Sequence, residues 1–160
     1  MKIIGIDPGI KKLGYSVIRE DLNLLESGVF IPSLKLNYES KIEYLLKNFE
    51  RLVKSFSPDL ISIEEIYVAK NVQIALKIGI LIGGIIGLCI TNNIKFILIP
   101  PREIKQLITG KGGATKEQVK FMIEHLTNCY NFKNFEETDA TATAISALFK
   151  LKENVIFYKR

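Results

Sequence analysis

MKIIGIDPGIKKLGYSV, residues Met1 to Val17, is the stretch whose reading decides the fold. Ile3, Ile4 and Ile6 make a short β-branched run of the kind that forms buried central strands. Asp7 ends that run, with no basic residue between Ile3 and Ile6 to neutralise it. Pro8 and Gly9 stop the strand and turn the chain, and a second apolar run begins at Leu13. A carboxylate at the end of a core strand is costly unless it is paired or bound to a cation. Asp-Pro-Gly also suits an Asx-turn, in which the Asp7 side chain bonds its own turn. What separates the two readings is whether other carboxylates gather beside Asp7.

Working outward, Leu13 to Arg19 and Leu24 to Ile31 read as two further strands, making an antiparallel meander with the first. Ile42, Leu45, Leu46, Phe49, Leu52, Val53 and Phe56 recur at helical spacing, so Tyr38 to Phe56 is expected to be a helix, stopped by Ser57-Pro58-Asp59. Leu60 to Ile63 is a fourth strand ending in Glu64-Glu65, and Ile66 to Ala69 a connecting loop. A long helix from Lys70 to Thr91 and a fifth strand, Ile94 to Ile99, follow. Pro100-Pro101 leads into a short helix, Arg102 to Ile108, and then the loop TGKGGATK, Thr109 to Lys116. Two more helices are expected, Thr115 to Asn128 and Glu137 to Leu151, with Lys152 to Arg160 as a tail or edge segment. Strands that meander and then alternate with helices predict an α/β layered sheet in one domain, residues 1–160.

The charge balance is +5, with 48% hydrophobic and 24% charged residues, ordinary for a globular chain but favouring an anionic partner such as nucleic acid. Cys89 and Cys129 have no metal-ligand spacing and read as free thiols in a reducing compartment. No export signal is recognisable, so a cytoplasmic protein is expected. The apolar run Ile78 to Ile90 is shorter than the roughly 20 residues a spanning helix needs and reads as a buried helix. Within it Gly79, Gly83 and Gly87 form a stripe, which predicts close packing against the sheet or a second subunit.

Parallel connections would bring the ends of the first and fourth strands to one sheet edge, where ligand sites of open sheets lie. Asp7 and Glu64 are the acids at those ends, although alternation alone leaves Glu64 and Glu65 open. Glu136 and Asp139 open the last helix on one face, and the small apolar run that follows predicts close packing on the sheet. Acidic residues in a first turn also complement the helix dipole, which accounts for an exposed Glu137. Asp7, Glu64, Glu136 and Asp139 together suit hard cations such as Mg²⁺, two of which could clamp a phosphodiester during in-line attack. His125 is the only histidine and reads as core or surface filling.

IGIDPG with GYSVI, IEEIYVAKN with ALKIG, PPREIKQLITGKGGATKEQV and EETDATATAI occur in the order seen in RuvC-type Holliday-junction resolvases, and the chain resembles that family from Met1 to about Leu148. The resemblance implies an RNase H-like fold, a five-stranded mixed sheet flanked by helices. It implies a homodimer that nicks four-way DNA junctions in pairs with Mg²⁺ (two ions per site, Mn²⁺ as a substitute), and a branch-migration motor complex as a further partner. Asp7, Glu64, Glu136 and Asp139 are then the catalytic acids, and Glu64 is preferred to Glu65. Glu136 departs from the aspartate common in the family, and Glu137 is a substitute for it. The same resemblance places Lys105 and Lys116 near the scissile phosphate, Tyr67 against bases at the crossover, and the dimer contact on the Gly79, Gly83 and Gly87 face. Lys111, in its glycine loop, and Lys70 and Asn71, at a helix N-terminus, are candidate phosphate contacts. The rival readings are a nuclease of RNA–DNA hybrids, an actin-like ATPase and a non-catalytic DNA-binding module.

Overall fold

The computed structural model describes residues 1–66 and 71–157, with side chains as far as Glu153. Tyr67 and Lys70 fall outside the described residues. The sheet runs in the order β3-β2-β1-β4-β5, formed by β1 (Lys2–Asp7), β2 (Leu13–Arg19), β3 (Leu24–Phe30), β4 (Leu60–Glu64) and β5 (Lys95–Ile99). β1, β2 and β3 are the antiparallel meander, while β4 pairs parallel to β1 and β5 parallel to β4. The register Ile6↔Ile63 sets Asp7 and Glu64 one residue further on at neighbouring strand ends. The fold is the mixed five-stranded sheet that the pattern of apolar runs predicts.

Helices α1 (Tyr38–Phe56) and α2 (Val72–Thr91) cover one face, where Phe49, Leu45, Leu81 and Ile85 pack on Ile4, Ile6, Ile61 and Ile63. The opposite face carries α5 (Phe135–Phe157), itself covered by α3 (Pro101–Thr109) and α4 (Lys116–Thr127). Enclosed on both sides, α5 is built from small residues, with Ala140, Ala142, Ala144 and Ala147 all buried. Its threonines satisfy themselves locally: Thr141 donates to the Glu137 carbonyl at 2.7 Å and Thr143 to the Asp139 carbonyl at 2.9 Å.

Two glycines set how closely α5 lies on the sheet. A Cβ on Gly5 would stand 2.0 Å from the Ala140 carbonyl oxygen, and one on Gly14 would stand 2.3 Å from that of Glu136. Neither neighbour is a flexible side chain that could turn away, so the strand backbone and helix backbone touch directly.

Two expectations are corrected. The residues after Leu151 were expected to form a tail, but α5 continues to Phe157; no proline or glycine interrupts the helix there. The long apolar helix was expected to be buried, yet α2 buries only Leu81, Ile82, Ile85 and Cys89, leaving Val72, Ile74, Leu76, Ile80 and Ile90 each more than half exposed. Among the described residues α2 packs chiefly against α1 and β5, on one side. Among the described residues nothing lies within 4 Å of a Cβ on Gly83 or Gly87, so the sheet is not what their stripe packs against; the close glycine contact is Gly84 on Leu46 of α1. α2 is also long and apolar enough to cross a membrane by length and composition.

Gly5→Ala forces α5 off the sheet, and overpacking of this kind typically costs about 1–3 kcal/mol. Urea denaturation should show that loss together with a large fall in activity, whereas Gly113→Ala, at a loop position with open space around it, should leave both near wild type.

Candidate active site

Four elements deliver the site. β1 ends at Asp7, β4 at Glu64, and the first two turns of α5 carry Glu136 and Asp139, while α4 begins with Lys116. The start of α5 is fixed by reciprocal bonds: the Glu137 N–H donates to Asn134 Oδ1 and the Asn134 amide donates to Glu137 Oε1, both at 3.0 Å. Asn134 thus caps the helix and orients its end, with the return bond made by its side-chain amide and not by its backbone N–H. Thr115 and Gln118 make a full capping box at the start of α4.

Those caps assign the neighbouring acids. Glu137 is buried rather than exposed, because its other oxygen accepts from the Ser27 hydroxyl on β3 at 3.1 Å. The reading of Glu137 as a solvated helix-dipole residue is therefore corrected, and its carboxylate is already engaged away from Asp7. Glu65 is exposed, whereas Glu64 is mostly buried at the strand end.

The remaining acids act on one another. Burial pushes the Asp7 carboxyl up to about 7, with Asp139 and Glu136 raising it further and Lys116 opposing. Burial likewise pushes Glu64 up to about 8, reinforced by Asp7 and Asp139 and opposed by Lys116 and Lys105. Lys116 donates to Asp139 at 2.8 Å. Its burial pulls the ammonium down, but Asp139, Asp7 and Glu64 more than offset this and hold it above its ordinary value. Glu136 goes the other way: its own backbone N–H, then Lys12 at 3.3 Å, hold it below the usual carboxylate range.

Lys12 is a site residue that sequence reasoning missed. The only signal was the lysine pair Lys11-Lys12 after the Asp-Pro-Gly turn, and nothing in the sequence links it to Glu136. Lys116 is brought to the acids and bonds Asp139, while Lys105 stands close enough to oppose the rise of Glu64. Lys111 is not brought to them; it is exposed and lines a separate hollow with Thr109, Ala114 and Phe121. Asn71 caps α2, accepting from the Ile74 N–H at 3.1 Å. His125 is exposed and stacks with Phe121, which makes it surface filling.

Among the described residues no three His, Cys, Asp or Glu side chains are placed to hold one metal ion together. The donor set nonetheless fits a hard divalent cation: every candidate ligand is a carboxylate oxygen, and burial, reinforced by repulsion from neighbouring acids, leaves two of them short of a counter-charge. Asp7, Glu64, Glu136 and Asp139 are the side chains that would hold it, once Lys12 and Lys116 release theirs.

A mixed sheet whose first and fourth strands end in acids, joined by an acid-bearing helix, is the architecture of RNase H-like nucleases. The family model described as Crossover junction endodeoxyribonuclease RuvC matches residues 3–147. The protein of that name from Chlorobium chlorochromatii is 32% identical over 154 residues, covering 94% of this chain and 80% of the relative. That from Aliarcobacter butzleri is 35% identical over 150 residues, covering 91% and 97%. Among solved structures, Thermus thermophilus RuvC in complex with Holliday junction substrate is similar in fold, with a TM-score of 0.89 at 24% identity over 96% of each chain. The yeast mitochondrial Holliday junction resolvase follows at 0.63 and 18%, covering 98% of this chain and 84% of the other. The chain belongs to the RuvC family of crossover junction endodeoxyribonucleases. It is a nuclease, a phosphodiester hydrolase, in a family whose members depend on metal.

The raised values of Asp7 and Glu64 carry a stability prediction. Both groups protonate more readily in the fold than in the unfolded chain, where their ordinary values are 3.8 and 4.5. The favourable contribution is therefore complete below about pH 4 and is lost as pH rises through about 7 to 8. Without divalent cation, Tm should fall between pH 5 and pH 8, Mg²⁺ should restore it at pH 8 far more than at pH 5, and Asp7→Asn should flatten the slope. Calorimetry across pH in a chelator checks this; a wild-type Tm that rises over that interval contradicts the buried placement.

Proposed function

We propose that this chain, as one RNase H-like domain over residues 1–160, resolves four-way DNA junctions by paired nicking, with Asp7, Glu64, Glu136 and Asp139 as its catalytic, metal-binding acids. The observation that carries the reading is the raised values of Asp7 and Glu64, two strand-end carboxylates that burial and then the neighbouring acids leave short of a counter-charge, which bound cations would supply. Hard oxygen donors favour Mg²⁺, two ions per site, with Mn²⁺ as a substitute. When bound, such ions supply Lewis-acid charge at the attacking and leaving oxygens of the phosphodiester and a nucleophilic water at neutral pH. Asp7 and Glu64 hold their ends of the site from rigid strands, and Glu136 and Asp139 from the capped start of α5. Lys116, freed from Asp139, places an ammonium against the charge developing on the phosphate, and Lys105 adds to it from the same side. Lys111 is assigned to phosphate on its exposed loop, and Asn71 to the capped N-terminus of α2. For Tyr67 and Lys70 the resemblance to the family is the support, with Tyr67 stacking on bases at the crossover.

The contact proposed for a homodimer is the face of α2 bearing Gly79, Gly83 and Gly87. Val72, Leu76 and Ile80 lie exposed beside that stripe, and an unpartnered apolar face of this kind favours a second copy. Two-fold symmetry sets two sites against opposed strands, which is what paired incision requires. A cytoplasmic location and a branch-migration motor complex rest on the family alone.

Incubation with a synthetic four-way junction, an RNA–DNA hybrid and ATP, each with and without Mg²⁺, tests the function. Symmetric Mg²⁺-dependent nicks in the junction are expected; hybrid cleavage or ATP hydrolysis in their place overturns the reading. Asp7→Asn and Glu64→Gln should each abolish cutting, by at least about a hundredfold, with junction binding nearly unchanged in a gel-shift assay. Lys116→Ala should slow cutting more than it weakens binding, and equal losses would reduce Lys116 to an ordinary phosphate contact.

A further inference from the structure

Beside the acids, on the α1–α2 side of the sheet, lies a recess of about 710 Å³ that none of the assigned roles uses. Its wall nearest the site is Glu136, and it extends from there between the turn after β1, the start of α1 and the start of α2. Four lysines line it, Lys11, Lys12, Lys41 and Lys77, against the single carboxylate of Glu136, which Lys12 already partners. Between them the surface is apolar, with Ile10, Ile74 and Ile78 and the ring of Tyr38.

The recess is built rather than incidental. The Tyr38 hydroxyl donates to the Lys77 carbonyl at 2.9 Å, tying the start of α1 to α2. The Lys77 ammonium lies 5.4 Å from the centre of the Tyr38 ring, held over its face. Ile74 is 55% exposed, although it faces this groove and not the glycine stripe. At about 100° per residue, Ile74 points to the side of α2 opposite Gly79, Gly83 and Gly87, so the proposed dimer contact does not cover it.

A lysine rim around an apolar, aromatic floor is the chemistry that binds single-stranded nucleic acid, with phosphates on the cations and a base face on the floor. An intact duplex offers phosphates, sugars and the base edges of its grooves but keeps its base faces stacked, so it would call for the lysines and leave the apolar floor without a flat face to seat. A volume of this size lies within the roughly 300–1,000 Å³ range of small-ligand pockets, on the scale of a nucleotide and not of a duplex. We propose that the recess seats one nucleotide of the cut strand, next to the scissile phosphate and splayed out of the stack, its base on Ile74 and Ile78 and its phosphates on Lys11, Lys41 and Lys77. The inference rests on the junction-cutting reading, since it takes the scissile phosphate to lie at the acids. Glu136 and Lys12 then form the boundary between metal site and strand seat, and Lys12 passes from Glu136 to a phosphate when DNA enters.

The test uses a synthetic four-way junction carrying 2-aminopurine at either nucleotide flanking the cut, bound by protein with the Asp7→Asn change to prevent cutting. Fluorescence should rise severalfold at one flanking nucleotide, as the base leaves the stack, and not at positions within the arms. Ile74→Glu should remove the rise while the circular dichroism spectrum stays unchanged. Lys41→Gln with Lys77→Gln should weaken junction binding about tenfold and reduce the slope of log affinity against log salt by about 1.5 to 2. Lys11→Gln, in an exposed turn that cannot unfold the core, should reduce the slope by a smaller amount in the same direction. An unchanged salt slope in these variants, or no fluorescence rise in a protein whose Asp7-containing form cuts junctions, overturns the strand seat and leaves the nuclease reading standing. Failure of the Asp7-containing protein to cut junctions at all overturns the junction-cutting reading, and the seat with it.

Discussion

Everything at the site depends on how closely one helix can lie on one pair of strands. α5 rests on β1 and β2 where Gly5 meets the Ala140 carbonyl and Gly14 meets the Glu136 carbonyl, with no side chain between. That contact puts the first turns of α5 beside the end of β1, and so sets Glu136 and Asp139 against Asp7. A larger residue at either strand position would lift the helix and spread the acids. The alanine content of α5 serves the same end, since the helix is covered on its outer side by α3 and α4 as well.

Bringing four carboxylates together in a half-buried place stores repulsion, and the chain manages it unevenly. Asp7 and Glu64, fixed on strand ends, are pushed up to about 7 and about 8, chiefly by burial. Asp139 and Glu136, on the helix, are each given a lysine, one from α4 and one from the turn after β1. The two lysines stand in for part of the positive charge the acids need, and both are more than half exposed, free to turn outward. An exposed ion pair of this kind is worth little in stability, about 0–1 kcal/mol. Such pairs can open at small cost, and under the proposed function a cation and a phosphate would take their place together, which would couple metal binding to DNA binding.

Much of this was legible in the sequence, and for identifiable reasons. β1 and β4 are short isoleucine-rich runs, each closed by an acid, and α1 shows a clean apolar stripe stopped by Ser57-Pro58-Asp59, so their limits could be read almost to the residue. Asp7 and Glu64 stood out because an acid closing a core strand asks for an explanation. Less legible was whatever depends on pairing across the chain. Glu137 reads as a surface acid until Ser27 and Asn134 are seen to hold it, and Lys12 reads as an ordinary turn lysine until Glu136 is beside it. α2 misled for a different reason. Uniform hydrophobicity marks a helix that must be covered but does not say by what, and the described residues cover one side of it.

The central claim is that acids from β1, β4 and α5 converge on divalent cation. Its most direct measurement is a crystal structure with Mn²⁺, located by anomalous scattering. The account predicts a strong peak within about 2.2 Å of carboxylate oxygens from Asp7 and Asp139, with Lys116 turned away from Asp139. Manganese bound elsewhere, with the Lys116–Asp139 pair intact and Asp7 free of metal, would contradict it.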